Sequence, residues 1–369
     1  MFIDRTPVVV FGPAYLDRVV RIDRPLVDPA LGARPLDGSV DGAWVVEGGS
    51  GLTLVDPLGS RIELKLPGRW RGPSGTIRVS RPFIEDPSGW SRTILAGPCV
   101  DDLGGMGSGF AASLGGELVS ALGPEGDPTS LAIQAALARE GVRHLPIRVA
   151  GHSADWTLLI TSGEHGDKLP IGFRGCHAAL PDLDPWTDRP CDLRVVAALP
   201  NRLAGDALRR PAPLRMFAPN LRNMIDRDPP VASFAGMIDV LCCNRAEWGQ
   251  LGDRDEVAWM VPIVAITDGA NGAEVRFKTT GGEPDRLAVP AFARSSPIVD
   301  TNRAGEAFAS ALVATLIDAR WEPGVAPLDL IRRAAARASA AAALTIGRAG
   351  FAFPSRVEIE AAVRAGRID

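Results

Sequence analysis

The sequence predicts an α/β fold with a doubly wound, mainly parallel sheet and a smaller β-rich part. From residue 104 onwards, helix-like and strand-like runs alternate, which is typical of parallel strands joined by crossover helices. Four later apolar runs end in polar or turn residues, at the edge where open α/β sheets bind ligands: "LRVVAAL", "PLRMFAPN", "MIDVLCCN" and "VPIVAITDG". Two other stretches carry short β-like runs with turn punctuation and no helical period.

Composition limits the classes of function. The chain has 369 residues, of which 46% are hydrophobic and 23% charged, which is ample for a large core. Its net charge is -4 and its 40 basic residues do not cluster, so we expect no nucleic-acid partner. The absence of an 18-residue apolar run predicts no membrane span. Five cysteines without a CxxC pair favour a reduced, cytoplasmic protein.

In chain order, the apolar run in "PVVVFGP" predicts a first strand rather than a signal peptide. A β-rich insertion follows, with the runs "GAWVVEGG", "GLTLVD", "RIELKLPGRW", "GTIRVS" and "SRTILAG", and a second β excursion occupies Ser153–Gly175. We therefore predict an α/β core over residues 1–20, 101–152 and 176–369, and a β lid over 21–100 and 153–175. Two helices close the chain: Ala304–Leu316, with apolar residues at helical spacing, and "LDLIRRAAARASAAAALTIG", stopped by Gly347.

The stretch "IVDTNRAGEAFASALVATLI" predicts a short strand, a tight turn and a long helix. Ala304 and Gly305 are small residues at the helix N-terminus, where unpaired N–H groups and the helix dipole favour an anion. Glu306 on the same turn can take a proton from a hydroxyl that attacks phosphorus. The alternative is an acidic first turn that the dipole alone stabilises.

Two further motifs follow predicted strands. In "NRAE", Asn244 and Glu247 suit a hydrated Mg²⁺, which prefers oxygen ligands. Taken by itself, however, the motif favours an ordinary helix start with Asn as N-cap and Glu in the first turn. In "ITDGANG", Thr267, Gly269 and Gly272 predict a turn whose backbone can approach a nucleotide, although such turns end many strands.

The glycine-rich stretch "GGMGSGFAASLGG" leads into a predicted helix. Its residues 107–112 fit the GxGxxA dinucleotide fingerprint poorly, because no buried parallel strand precedes them. A turn that contacts a polyhydroxy substrate is an equally reasonable interpretation.

Asp17, just after the first strand, can bind two sugar hydroxyls or can be a solvated turn residue. No GxxxxGK[ST] motif occurs, which excludes a Walker-type phosphate loop.

Taken in order, "VVVFGPAYLD", "GGMGSGFAASLGG", "NRAE", "TDGANG" and "DTNRAGEAF" resemble the ribokinase (PfkB-type) carbohydrate kinase family over nearly the whole chain. The resemblance implies a ribokinase-like doubly wound α/β domain with a small β lid, which in many members forms a dimer interface by sheet pairing. It implies transfer of the ATP γ-phosphoryl group to a hydroxyl of a sugar or nucleoside. A homodimer through lid strands fits the tendency of exposed sheet edges to pair.

The resemblance also implies roles for individual residues. Asp17 resembles the ligand of the substrate hydroxyls, and Gly104 and Gly105 resemble the glycine pair beside the sugar. The cofactor residues resemble the motif near Mg²⁺ and phosphate and the nucleotide turn: Asn244, Glu247, Thr267, Gly269 and Gly272. Asp300 resembles a residue near a monovalent-cation site, and Ala304 and Gly305 resemble part of the anion hole.

Three positions depart from the family pattern. Arg303 stands where the family has a small residue, Glu306 replaces the catalytic Asp, and Gly109 replaces an Asn that contacts the sugar. Glu keeps the carboxylate but moves the base by about 1 Å, a misplacement that can cost roughly 100-fold in rate. Arg303 can fill the phosphate pocket or reach the γ-phosphate as a fixed cation. The sequence thus predicts a kinase with Glu306 as base or, alternatively, a catalytically silent member that binds nucleotide or sugar as a sensor or structural protein.

Overall fold

The computed structural model describes residues 7–22, 43–47, 52–55, 61–64, 75–78, 93–94, 100–162, 168–279 and 281–368. These residues divide into two compact units. Those of the first unit fall within Met1–Ala14, Leu103–Ser153 and Cys176–Asp369, and those of the second within Tyr15–Asp102 and Ala154–Gly175.

The strands within the described residues are, in chain order, β1 (Val8–Phe11), β2 (Tyr15–Ile22), β3 (Ala43–Glu47), β4 (Leu52–Val55), β5 (Arg61–Leu64), β6 (Gly75–Arg78), β7 (Thr93–Ile94), β8 (Val100–Gly104), β9 (Glu117–Leu122), β10 (Arg143–Arg148), β11 (Trp156–Ser162), β12 (Lys168–Phe173), β13 (Leu193–Ala197), β14 (Leu214–Ala218), β15 (Val240–Asn244), β16 (Ile263–Thr267), β17 (Ala273–Lys278) and β18 (Pro284–Val289). The helices are α1 (Met106–Leu114), α2 (Pro128–Arg139), α3 (Asn201–Arg209), α4 (Leu221–Ile225), α5 (Arg245–Gln250), α6 (Arg254–Met260), α7 (Ala304–Asp318), α8 (Leu328–Thr345) and α9 (Arg356–Ala365).

The first unit is built on a nine-stranded sheet in the order β10-β9-β1-β13-β14-β15-β16-β17-β18. Neighbouring strands from β10 to β16 pair in parallel, whereas β17 and β18 pair antiparallel at one edge. The central strands β1 and β13 are continuously buried, as expected where helices cover both faces of a parallel sheet. The antiparallel strand β17 instead alternates between buried and half-buried residues. This architecture confirms the predicted α/β fold.

The second unit is β-rich, as predicted. Its strands form a sheet in the order β6-β3-β4-β5-β7 and contribute to another in the order β12-β11-β2-β8. Each of the five predicted β-like runs contains one of the strands β3 to β7, and the second excursion contains β11 and β12. Asp17 lies inside β2, paired in register with Thr157, so the interpretation of Asp17 as a turn residue was wrong.

The C-terminal helices differ from the prediction in three respects. The helix α7 is buried continuously from Ala307 to Leu316 rather than along one stripe, because α8, α1 and β15 all pack against it. The helix α8 ends at Thr345, before Gly347, and a third helix, α9, follows. That helix was missed although Ser355 and Glu358 form a capping box, a signal that the sequence carries. Within the described part of the chain, no helix is both long and apolar enough to cross a membrane.

The short strand predicted at Ile298–Asp300 does not form. The side chains of Ile298 and Val299 are largely exposed, so the apolar run does not enter the core. The amides of Val299 and Asp300 both donate to the carbonyl of Ile346, just beyond α8, at 2.8 and 3.2 Å. The segment is therefore a loop held to the end of α8 rather than a strand of the sheet.

We expect His144 to make folding stability depend on pH. It lies on β10, with its Nε2 atom 2.8 Å from the Ser120 hydroxyl of β9. Burial, together with the charge of Arg148, lowers the pKa of His144 to about 4 from an ordinary 6.5. The unfolded chain therefore binds a proton near pH 6.5 that the folded chain binds only near pH 4. The free energy of unfolding should fall by on the order of 1 to 3 kcal/mol as the pH drops through this window.

Denaturant titrations at pH 7 and pH 4.5 measure this change, and His144→Gln should reduce it. An equal loss of stability in the wild type and in the His144→Gln variant would contradict the assignment.

Candidate active site

The first group of predicted site residues lies at the carboxyl ends of β15 and β16. Because these neighbouring strands run parallel, Asn244 pairs in register with Thr267, and the two motifs that follow the strands lie side by side. The Thr267 hydroxyl donates to the carbonyl of Cys243 at 3.4 Å. This is the edge of an open α/β sheet at which ligands bind.

The motif that contains Asn244 and Glu247 begins α5. The Asn244 side chain accepts a hydrogen bond from the Glu247 amide at 2.8 Å, and the Glu247 carboxylate accepts one from the Asn244 amide at 2.9 Å. These bonds form a capping box, so the ordinary helix start that the sequence suggested is present. A capping box accounts for how the carboxylate is held and leaves open what else its oxygens bind.

Electrostatics connects Glu247 with Glu306. Burial raises the pKa of Glu247 to about 6, the hydrogen bond from the Asn244 amide lowers it, and the negative charge of Glu306 raises it again. The two carboxylates therefore lie within each other's field. A divalent cation beside Glu247 would relieve that repulsion, and carboxylate oxygens are the ligands that Mg²⁺ prefers, so this donor set fits a magnesium ion.

The turn after β16 is held by its own backbone. The Asp268 amide donates to the Gly272 carbonyl at 2.7 Å, and Gly272 has a φ of 89°. A Cβ atom at Gly272 would lie 2.0 Å from the Val289 carbonyl oxygen, so only glycine fits. Gly269 has open space where a side chain would project, which leaves room for a ligand near the backbone.

The glycine pair Gly104 and Gly105 joins β8 to α1. Gly105 has a φ of 92°, and a Cβ atom there would lie 2.3 Å from the carbonyl oxygen of Pro13, in the turn after β1. The Ser108 hydroxyl donates to the Gly104 carbonyl at 2.6 Å and fixes the first turn of α1. The strand β8 belongs to the four-stranded sheet, so the glycines do not follow a strand of the main parallel sheet as a dinucleotide fingerprint requires.

The start of α7 brings together the residues predicted to handle phosphate. Gly305 is exposed and has open space where a Cβ atom would project, and Ala304 and Glu306 are half-buried on the same turn. The first N–H groups of a helix have no partner within the helix, and the dipole makes this end positive. The helix tip is therefore accessible at Gly305 rather than covered by packed side chains.

Arg303 caps this helix in an unusual way. Its φ of 66° is left-handed, and its guanidinium donates to the Leu103 carbonyl and, at 3.4 Å, to the Gly350 carbonyl. The guanidinium carbon lies 4.5 Å from the centroid of the Phe351 ring. With only 9% of the residue exposed, these contacts favour a role in holding the helix tip over direct contact with a γ-phosphate.

We expect Arg303→Met to lower the free energy of unfolding by about 1 to 3 kcal/mol, because it removes the hydrogen bonds that the guanidinium donates to the Leu103 and Gly350 carbonyls. Arg303→Gly loses the same bonds but relieves the left-handed backbone, which is worth about 1 kcal/mol, so it should cost less. Urea titration measures both losses. A methionine variant as stable as the wild type would contradict this view of the cap.

Asp300 lies in the loop that leads into α7. Its Oδ1 atom accepts a hydrogen bond from the Asn302 amide at 2.8 Å, and its own amide is bound to the Ile346 carbonyl. The half-buried carboxylate is thus fixed close to the N-terminus of α7 along the chain.

Sequence reasoning missed the partners of Arg303, namely Leu103, Gly350 and Phe351, since no local pattern connects positions so far apart.

Comparison with known proteins agrees with this architecture. The family model for the pfkB family carbohydrate kinases matches residues 102–357. No curated protein sequence matches the chain. Similar solved structures include the ribokinase of Giardia lamblia, at 16% identity and a TM-score of 0.65, with 98% of this chain and 100% of that chain covered.

Two further similar structures contain ligands. The nucleoside kinase of Burkholderia thailandensis in complex with inosine has 16% identity and a TM-score of 0.60, with 97% of this chain and 98% of that chain covered. The ribokinase of Cryptococcus neoformans var. grubii in complex with ADP has 14% identity and a TM-score of 0.59, with 98% of this chain and 99% of that chain covered.

The chain belongs to the pfkB family of carbohydrate kinases, since the family model matches more than half of it.

Proposed function

We propose that the protein is an ATP-dependent phosphotransferase that moves the γ-phosphoryl group to a hydroxyl of a sugar or nucleoside-like small molecule. The observation that carries the proposal is the start of α7, where the Glu306 carboxylate shares the first turn with the open, exposed Gly305. Membership of the pfkB family supports a kinase, and the inosine-bound and ADP-bound neighbours support a nucleoside or sugar substrate and an adenine nucleotide.

In this proposal, Glu306 accepts the proton of the attacking hydroxyl. The amides at Ala304 and Gly305 hold the charge that develops on the transferred group, as a helix N-terminus does for anions. Arg303 keeps the helix tip in place through its contacts with Leu103 and Phe351. In-line transfer needs little else from the protein than positioning and charge stabilisation.

The nucleotide and its metal ion would occupy the edge formed by β15 and β16. Thr267, Gly269 and Gly272 form the turn against the nucleotide, and Asn244 and Glu247 lie toward the phosphates. Glu247 is the residue that would hold a Mg²⁺ ion, and the ion would supply positive charge to neutralise the phosphates. A monovalent cation near Asp300 is the second ion that the proposal includes.

The substrate residues rest on the family resemblance. Asp17 is proposed to bind substrate hydroxyls, and Gly104, Gly105 and Gly109 are proposed to lie close to the substrate.

The proposal also includes a homodimer that pairs through strands of the second unit, and a cytoplasmic location. The dimer is tested by sedimentation of the intact chain, where a monomer at micromolar concentration would contradict it.

The test of the function is ATP consumption with Mg²⁺ against a panel of pentoses, hexoses and nucleosides. We expect at least one member to give sustained ADP release, and mass spectrometry should show a product that has gained one phosphate. If none of the compounds is phosphorylated while ATP or a sugar still raises the melting temperature, the protein is instead a silent member that binds without turnover.

A further inference from the structure

Gly109 and Glu306 are neighbours in space although 197 positions separate them in the sequence. The same separation holds for Ser113 and Ser310, the hydrogen-bonded pair one helical turn further on. Gly109 lies on α1 and Glu306 on the first turn of α7, and the two helices pack against each other. A Cβ atom built on Gly109 would lie 3.2 Å from the Cγ atom of Glu306 and 3.6 Å from its Oε1 atom. The glutamate side chain therefore lies directly over the bare backbone of Gly109.

A second contact fixes the register of the two helices. The hydroxyls of Ser113 and Ser310 lie 2.6 Å apart, and both residues are fully buried. Each serine is four residues after Gly109 or Glu306, so each lies on the same helix face as that residue. This buried hydrogen bond opposes a shift of either helix that would make room for a larger residue at position 109.

On this basis, we propose that Gly109 is a positioning residue for Glu306. The missing side chain at position 109 leaves the volume in which the long glutamate side chain lies, and so sets where its carboxylate stands. The inference rests on the proposed function, because it gives a catalytic meaning to a steric contact. It gives Gly109 a role that is exerted through the base, beyond its proposed place close to the substrate.

The first test is kinetic and uses Gly109→Ala. One added methyl group at 3.2 Å forces the Cγ atom of Glu306 to move by tenths of an ångström, and the carboxylate beyond it moves further. We expect kcat to fall by about tenfold or more, since small misplacements of reacting groups cost rate steeply. The KM values for ATP and for the alcohol should stay within about twofold, because the substitution leaves the contacts that bind both substrates in the ground state unchanged.

Gly205→Ala is the matched control. Gly205 is also a buried helix glycine, on α3, and its added Cβ atom would lie an ordinary 3.6 Å from Phe234. It should gain the stability that alanine gives a helix and leave kcat unchanged. If Gly109→Ala keeps the wild-type kcat, or raises only the KM of the alcohol, the positioning role is wrong.

The second test needs no activity, so it separates this inference from the proposed function. In thermal unfolding, Gly109→Ala should lower the melting temperature of the wild type and of Glu306→Gln, because both side chains keep a Cγ atom. In the Glu306→Ala background, Gly109→Ala should raise the melting temperature. The nearest atom left at position 306 is then the Cβ atom, which lies an ordinary 3.5 Å from the added Cβ atom at position 109. An equal shift of the melting temperature in all three backgrounds would overturn the inference.

If the wild type shows no kinase activity but this pattern of melting temperatures holds, the proposed function fails and the steric coupling stands. If the wild type turns over and the melting temperatures show no coupling, the kinase stands and the positioning role fails.

Discussion

Glu306→Gln is expected to remove turnover almost completely while ATP still binds. Glutamine keeps the length and shape of the side chain but has no basic oxygen to accept the substrate proton. Loss of a general base costs roughly 100- to 10,000-fold in rate, so kcat should fall by that factor. The KM for ATP should change little, because the amides at the start of α7 and the edge formed by β15 and β16 are intact.

Coupled measurement of ADP release gives kcat, and calorimetry gives ATP affinity. Glu140→Gln is a suitable control, since it makes the same charge change at an exposed residue that caps the C-terminal end of α2. It should leave kcat unchanged. A Glu306→Gln variant with more than a tenth of the wild-type kcat would mean that another group takes the proton.

Gly305→Val is expected to have the second largest effect. The position has open space for a side chain, so the variant should fold, but valine would occupy the volume in which we propose that the phosphoryl group lies. Loss of contact with preorganised N–H donors costs about 100-fold or more, so kcat/KM for ATP should fall at least that far. The thermal shift that ATP gives the wild type should also shrink.

The control for this substitution is Gly236→Val. Gly236 is an exposed residue of the 3₁₀-helix Val231–Met237, has equally open space and lies outside the proposed site. Its valine variant should keep both activity and ATP binding. Full activity in Gly305→Val would show that no anion approaches this end of α7 during the reaction.

Much of the core could be predicted from the sequence, because its signals are local. Apolar runs that end in polar residues indicated the strands β13 to β16, and the carboxyl ends of consecutive parallel strands meet at one edge. That is why the residues of "NRAE" and "ITDGANG" lie side by side at Asn244 and Thr267. The wrong strand at Ile298–Asp300 shows the limit of this approach, since an apolar run can equally remain exposed in a loop.

The contacts that define the candidate base could not be predicted in the same way. The approach of Gly109 to Glu306 depends on how closely α1 and α7 pack, and the contact of Arg303 with Phe351 joins two loops. Neither has a period or spacing that a single sequence reveals. The structure thus relates two of the three departures from the family pattern to each other, because the longer acid at position 306 lies in space that a glycine at position 109 leaves.

The most direct test of the central claim is a crystal structure of the protein with a non-hydrolysable ATP analogue and Mg²⁺. We expect γ-phosphate oxygens about 3 Å from the amides at the start of α7, with the Glu306 carboxylate facing the γ-phosphorus across the space for a hydroxyl. A γ-phosphate bound away from Gly305, with Glu306 turned from it, would contradict the account.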